Sequence, residues 1–289
     1  RVLAPMTISN SFRLFAFNNA DLDVAFDGTI TLRGRQPDNS FLQVGNNVNV
    51  EFGADVHWAE GPVELTTNCV VLAGATFFAE SATGSTNASR ENSAGLAVRG
   101  TYKQISVGTN QIQRLINSGL IDISAGTLSS FVPSSFGGGL CIVQTTGELR
   151  LSGGSISALS RSTFSPAIGQ IQIQGGLITG AGNITGDIML LGGIIKPGAP
   201  FGTLRINDNL TVRTNGIVSI DIGGLEPGVS HDQIQILRQL NAEREGTLEI
   251  NLLNGFNPQV GQEFTIFTFD FLREEFRQVI GQNIGNGKR

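Results

Sequence analysis

The sequence predicts an all-β chain wound as a single-stranded parallel β-helix, a solenoid closed by short terminal β caps. Three observations predict it. Glycine is abundant, 38 of 289 residues, while only 15% of residues are charged. Helical periodicity is nearly absent. A short unit also recurs, in which alternating apolar residues run into a small pair, usually containing Gly, and then into a second short apolar strand.

The unit reads "VNVEFGADVHW" from Val48, "VVLAGATFFA" from Val70, "IDISAGTLSSF" from Ile121, "LRLSGGSISAL" from Leu149, "IQIQGGLITGAG" from Ile171 and "IMLLGGIIKPGAP" from Ile188. Successive starts lie 22, 51, 28, 22 and 17 residues apart, so a spacing near 22 recurs and the 51 holds about two units plus an insertion. Along a strand, residues i and i+2 share a face, so each unit turns its Ile, Leu, Val or Phe residues inward at alternate positions. The glycine pairs allow bends where side chains would clash. Three strands and three bends close one turn. Turns stacked at about 4.8 Å give roughly 12 layers and a rod on the order of 60 Å long.

An antiparallel sandwich needs more hairpin signals than the Asp27-Gly28 and Asn215-Gly216 pairs supply. Residues 109–119 are expected to form a short helix capped by Gly119. Residues 270–281 fit an amphipathic helix or a terminal strand about equally. Residues 1–225 are expected to form the solenoid, with a polar surface loop inserted at about 79–95. Residues 226–289 then form a C-terminal β-region that continues or caps it.

Composition excludes several partners. A net charge of -5 and a pI near 5.1 argue against nucleic acid, since phosphate binding needs clustered Lys and Arg. The densest basic groups, Arg33 with Arg35 and Lys288 with Arg289, read as solvated turn residues. No apolar run approaches the ~20 residues of a membrane-spanning helix. The opening "RVLAPMTISNSF" lacks a signal-peptide core, and "GQNIGNGKR" stops abruptly, so both ends are expected to be trimmed from a longer precursor.

Catalytic and metal signals are sparse. Parallel β-helices that act on polysaccharides need carboxylates about 5–10 Å apart on neighbouring turns. The candidates here are Asp21, Asp23 and Asp27, Asp55 beside His57, and Glu274 with Glu275, none of which recurs at the turn spacing. His57 and His231 each lack a neighbouring His or Cys, so no zinc site is expected. Calcium-binding coils need repeated aspartates that "GGLITGAGN" does not have. No Gly-x-Ser-x-Gly elbow, phosphate loop or dinucleotide fingerprint appears, and no cofactor is expected. Cys69 and Cys141 lie 72 residues apart, about three layers or ~14 Å, beyond the ~7 Å reach of a disulfide. Both are expected to be buried free thiols.

Family likeness is strongest at residues 196–212, "KPGAPFGTLRINDNLTV", preceded by "GGLITGAGNITGDIMLLGGII". This stretch resembles the Pro-Gly-x-Pro-Gly-Thr-Leu-x-Val-x-Gly-Asn-Leu-Thr segment of autotransporter passengers and of autotransporter-associated β-helix repeats in bacterial surface proteins. The resemblance extends over about residues 165–289. It implies a right-handed parallel β-helix displayed outside the cell as a stalk, adhesin or surface-layer component. It implies no catalytic residues: Gly198 and Gly202 serve bends, and Leu204, Ile206 and Leu210 serve the core.

Function is therefore expected to come from the rod. Phe12, Leu14, Phe15 and Phe17 near the start, and Phe264, Phe267, Phe269 and Phe271 near the end, are candidates for self-association, because uncapped strand edges template other chains. Copies of the same chain are the expected partner, in a filament, sheath or surface layer, with a cell-surface polysaccharide as the alternative. Thr86, Asn87, Ser89 and Arg90 form a candidate contact loop. Its Asn-x-Ser acceptor pattern, matched by Asn-x-Thr at Asn183 and Asn209, reads as coincidence in a bacterial coil.

Overall fold

The computed structural model describes residues 1–8, 12–14, 22–33, 42–44, 48–60, 64–65, 69–80, 95–112, 114–133, 139–161 and 166–281. The chain forms a parallel β-helix with three faces, visited in the order first, second, third. Met6–Ile8 opens the first face, Phe12–Leu14 the second and Leu22–Phe26 the third, after which Ile30–Arg33 returns to the first. Strands stack almost entirely in parallel on their counterparts one turn away. Among the described residues no helix occurs, and none is long and apolar enough to cross a membrane.

The register shows what holds the stack together. On the first face one inward column runs Met6, Ile30, Val56, Phe77, Tyr102, Ile121, Leu149, Ile178, Ile195, Val218, Leu248, Val279. These twelve positions span eleven spacings of about 4.8 Å, a rod of roughly 53 Å. The third face carries a parallel column from Val24 through Val50, Cys69, Leu96, Leu115 and Ile142 to Leu272. The second face aligns Asn110, Leu128, Ile156, Ile184, Ile206 and Ile236. All members of these columns except Met6, Val24, Leu272 and Val279 are buried. Each fully buried aliphatic side chain contributes about 1.5–3 kcal/mol.

The N-terminal half fills its axis with rings. Phe26, Phe52, Phe77 and Tyr102 follow one another at centroid distances of 6.0, 5.9 and 5.8 Å, with Trp58 edge-on to Phe77. Toward the C-terminus the inward positions become Ile and Leu. Turn length varies with what the corners carry, from 17 residues between Ile178 and Ile195 to 31 between Leu248 and Val279.

The corner from the third face to the first carries a glycine spine: Gly100, Gly119, Gly147 and Gly176 stack turn upon turn. Their carbonyl oxygens accept the amides of Leu120, Glu148, Leu177 and Ile194 in the following turn, at 2.8–2.9 Å. A Cβ on Gly147 would collide with the carbonyl oxygen of Gly119, and Gly147 sits at φ 71°. Only glycine satisfies both conditions at once. Inside the same corner, buried Asn117 and Gln144 stack through an amide hydrogen bond of 3.3 Å. They also donate to the carbonyls of Glu148 (2.9 Å) and Leu177 (2.7 Å), so these buried polar groups are paired.

One expectation is corrected, and one left open is decided. Residues 109–119 form strands Thr109–Ile112 and Leu115–Asn117, not a helix, and Gly119 belongs to the spine. The buried positions 110, 112, 115 and 117 of the two strands together imitate a helical spacing. Residues 270–281 form strands Phe271–Glu274 and Gln278–Ile280, the strand alternative. Cys69 and Cys141 are buried and are not joined to each other by a disulfide. The third-face register puts them three turns apart, through Leu96 and Leu115 to the Cys141–Ile142 bulge.

Candidate functional site

The carboxylates singled out in the sequence do structural work at separate places. Asp27 pairs with Arg1 at 2.8 Å, and Asp55 accepts the Thr76 amide at 2.8 Å across one turn. His57 stacks on Phe78 at 4.7 Å and meets Glu80 at 2.9 Å through Nδ1. Glu274 lies 3.8 Å from Arg244. Asp23 stands in Leu22–Phe26, Arg33 closes Ile30–Arg33, and Asp21, Arg35, Lys288 and Arg289 lie outside the described residues. Among the described residues, no group of three His, Cys, Asp or Glu could hold a metal ion.

A polar cluster that the sequence did not announce forms at the corner from the first face to the second. The turn 198–202, the loop 223–231 and the segment 253–265 leave this corner in successive turns. Gly198 bends the first at φ 75°, and the Phe201 ring covers Gly223, where a Cβ would lie 2.6 Å from Cζ. The loop closes on itself through Gly223 N to Ser230 O (2.8 Å) and Gly228 N to His231 O (2.7 Å). His231 is buried, with Nδ1 3.1 Å from the Gly224 carbonyl and its ring edge-on to Phe264. Among the described residues its Nε2 has no hydrogen-bond partner.

At the base of this corner, Asp232 accepts the Gly202 amide at 3.0 Å and the Asp221 amide at 2.9 Å. Asp221 in turn holds Lys196 at 3.0 Å and Asn251 at 3.2 Å. Burial pushes the Asp232 carboxyl up to about 7; the charge of Asp221 adds to this, while the two amides and Lys196 oppose it. A carboxylic acid that titrates near neutrality could serve as a proton donor. Here Asp221, His231 and Asp232 are all sealed from solvent, so no dissolved substrate reaches them. The cluster ties the loop 223–231 to the turn below it. Gly202, Leu204, Ile206 and Leu210 are likewise buried in structural positions.

The self-association candidates divide. Phe264 and Phe267 pack against the core, Phe267 stacking on Phe276 at 5.8 Å, whereas Phe269 and Phe271 are exposed. Phe12 and Leu14 lie in the first strand of the second face. Phe15, Phe17, Thr86, Asn87, Ser89 and Arg90 lie outside the described residues. Trp58 and Tyr102 are buried and offer no exposed aromatic groove.

Two open surfaces stand out among the described residues. The last turn, formed by Phe267–Thr268, Phe271–Glu274 and Gln278–Ile280, pairs on one side only among the described residues. It leaves Phe271 (59% exposed), Leu272, Val279 and Ile280 in contact with solvent. On the outer side of the second face, a cleft of 340 Å³ crosses three turns between Arg205 and Asp270. Comparison with known protein families, curated proteins and solved structures gives no match.

Proposed function

We propose that this chain is a structural β-solenoid that works by association rather than by catalysis, as a subunit of an extracellular filament, sheath or surface layer built from its own copies. The observation that carries the reading is the last turn: its core columns end in half-exposed apolar side chains, and its outward backbone edge is unpaired among the described residues. Such an edge adds another strand layer with the main-chain geometry that already joins every turn below it. A head-to-tail junction is heterologous and propagates without closing. The surface location rests on the likeness of residues 165–289 to bacterial surface β-helices, and the non-catalytic reading on the enclosure of the Asp221–Asp232 cluster.

Sedimentation velocity over a range of concentrations tests the proposal. The native chain is expected to form species of increasing length, and the double substitution Phe271→Lys, Ile280→Lys to remain a single slow species. A concentration-independent monomer for the native chain sinks the proposal.

A further inference from the structure

We propose that the cleft on the outer side of the second face binds a neutral oligosaccharide lying along the rod. This inference goes beyond self-association, because the cleft opens on the side of the solenoid and only its last rung, Thr268 to Asp270, belongs to the turn that carries the unpaired edge. Its volume of 340 Å³ falls in the range of about 300–1,000 Å³ usual for small-ligand sites.

Its wall repeats with the turns. Arg205, Gln235 and Thr268 stand one above another in register. Arg205 Nε donates to Gln235 Oε1 at 2.9 Å, which fixes the guanidinium. Its terminal nitrogens, and the Asp270 carboxylate at the other end of the cleft, make no hydrogen bond or ion pair among the described residues. Beside these polar groups stand Leu237 and Phe269, 59% and 39% exposed.

This chemistry selects a class of ligand. One cation and one anion cancel, so the cleft has no net charge with which to attract a nucleotide or a polyanion. The strands carrying Arg205 and Gln235 are hydrogen-bonded to the turns above and below, so along them an extended peptide finds no edge to zip onto; only the rung at Thr268 has an unpaired side, among the described residues. What the cleft offers is a line of donors and acceptors flanked by an aromatic ring, which suits hydroxyl-bearing rings with an apolar face. Three turns span two intervals of about 4.8 Å, room for about two sugar units, each matched to one interval.

The test is titration of the full chain with four neutral hexasaccharides, a β-1,4-glucan, a β-1,3-glucan, a β-1,4-mannan and a chitin fragment, followed by calorimetry at low and high salt. At least one is expected to bind saturably with an affinity unchanged by salt. Phe269→Ala and Asp270→Asn are each expected to weaken it at least tenfold, and Lys103→Ala on the first face to leave it unchanged. Circular dichroism checks folding; if Phe269→Ala unfolds the last turn, Arg205→Gln takes its place. Failure of all four sugars at millimolar concentration, binding that survives the cleft substitutions, or binding only at low salt overturns the assignment.

Discussion

Replacing Gly147 by alanine separates the cost of a left-handed backbone from the cost of breaking the glycine spine. Gly74 supplies the control. Its φ is 89°, and a Cβ there would meet nothing within 4 Å. Gly74→Ala therefore carries only the conformational penalty, about 1–2 kcal/mol. Gly147→Ala carries the same penalty at φ 71°, and its methyl group would also strike the carbonyl oxygen of Gly119. That oxygen accepts the Glu148 amide at 2.8 Å, and Gly147 passes the pattern on to Leu177 at 2.8 Å. Relief of the collision lifts one corner off the next and weakens at least one such bond, adding about 1 kcal/mol, with lost core contact adding more. The expected loss is about 2–3 kcal/mol or greater for Gly147→Ala, at least about 1 kcal/mol more than for Gly74→Ala. Urea denaturation of both variants reads the difference, and hydrogen exchange should place the excess opening in residues 119–177. Equal losses, or a larger loss at Gly74, would refute the stacked spine.

The remaining predictions concern the core and its buried groups. Leu149→Ala, in the middle of the first-face column, should lower stability by about 2–5 kcal/mol through the cavity it leaves. Both cysteines should resist a thiol-specific reagent until the chain unfolds, because burial pushes the Cys69 thiol up to about 12 and Cys141 is equally enclosed; rapid labelling of either in the native state contradicts the register. The folded Asp232 carboxyl binds its proton more tightly than the unfolded one, about 7 against 3.8. Its contribution is therefore fully present below 3.8 and lost as pH rises toward 7. Thermal unfolding should show a higher midpoint at pH 5 than at pH 8, with a flatter profile in Asp232→Asn; a native midpoint that rises over this range opposes the assignment. At Asp122, burial works to raise the carboxyl but is outweighed by Arg150 and Ser152, which hold it below its usual value. That ion pair should lose its stabilising effect only as the solution becomes more acidic than the ordinary carboxylate range.

How legible the fold was follows from how simple its grammar is. Alternating apolar residues around small pairs suffice to predict short stacked strands, and the three-turn separation of Cys69 from Cys141 follows from the repeat length alone. The irregular spacing of the repeats also has a cause. "VNVEFGADVHW" and "IQIQGGLITGAG" cross from the third face to the first, whereas "IDISAGTLSSF" and "LRLSGGSISAL" cross from the first to the second. Two different corners share one sequence pattern, so a single period could not fit them. The same ambiguity disguised strands 109–112 and 115–117 as a helix.

The sites were less legible, because they arise between turns rather than along the chain. Lys196 belongs to one turn and Asp221 and Asp232 to the two ends of the next turn's corner loop, and no local motif joins them. Arg205, Gln235 and Thr268 meet only through the register of three strands some 30 residues apart. Of the eight aromatic and aliphatic residues expected to mediate association, Phe264 and Phe267 turned inward, since an aromatic-rich terminal segment also supplies the rings that pack against His231 and Phe276. The one available signal was the unequal turn length: the longest turns hold the corner loops at 223–231 and 253–265, and elaborated corners of a solenoid are where contacts gather.

Electron microscopy of the concentrated native chain tests the central claim most directly. The account predicts rods longer than a single subunit of roughly 53 Å, joined end to end, with the ~4.8 Å strand spacing continuing across each junction. A field of separate particles of one subunit's length, unchanged by concentration, contradicts it.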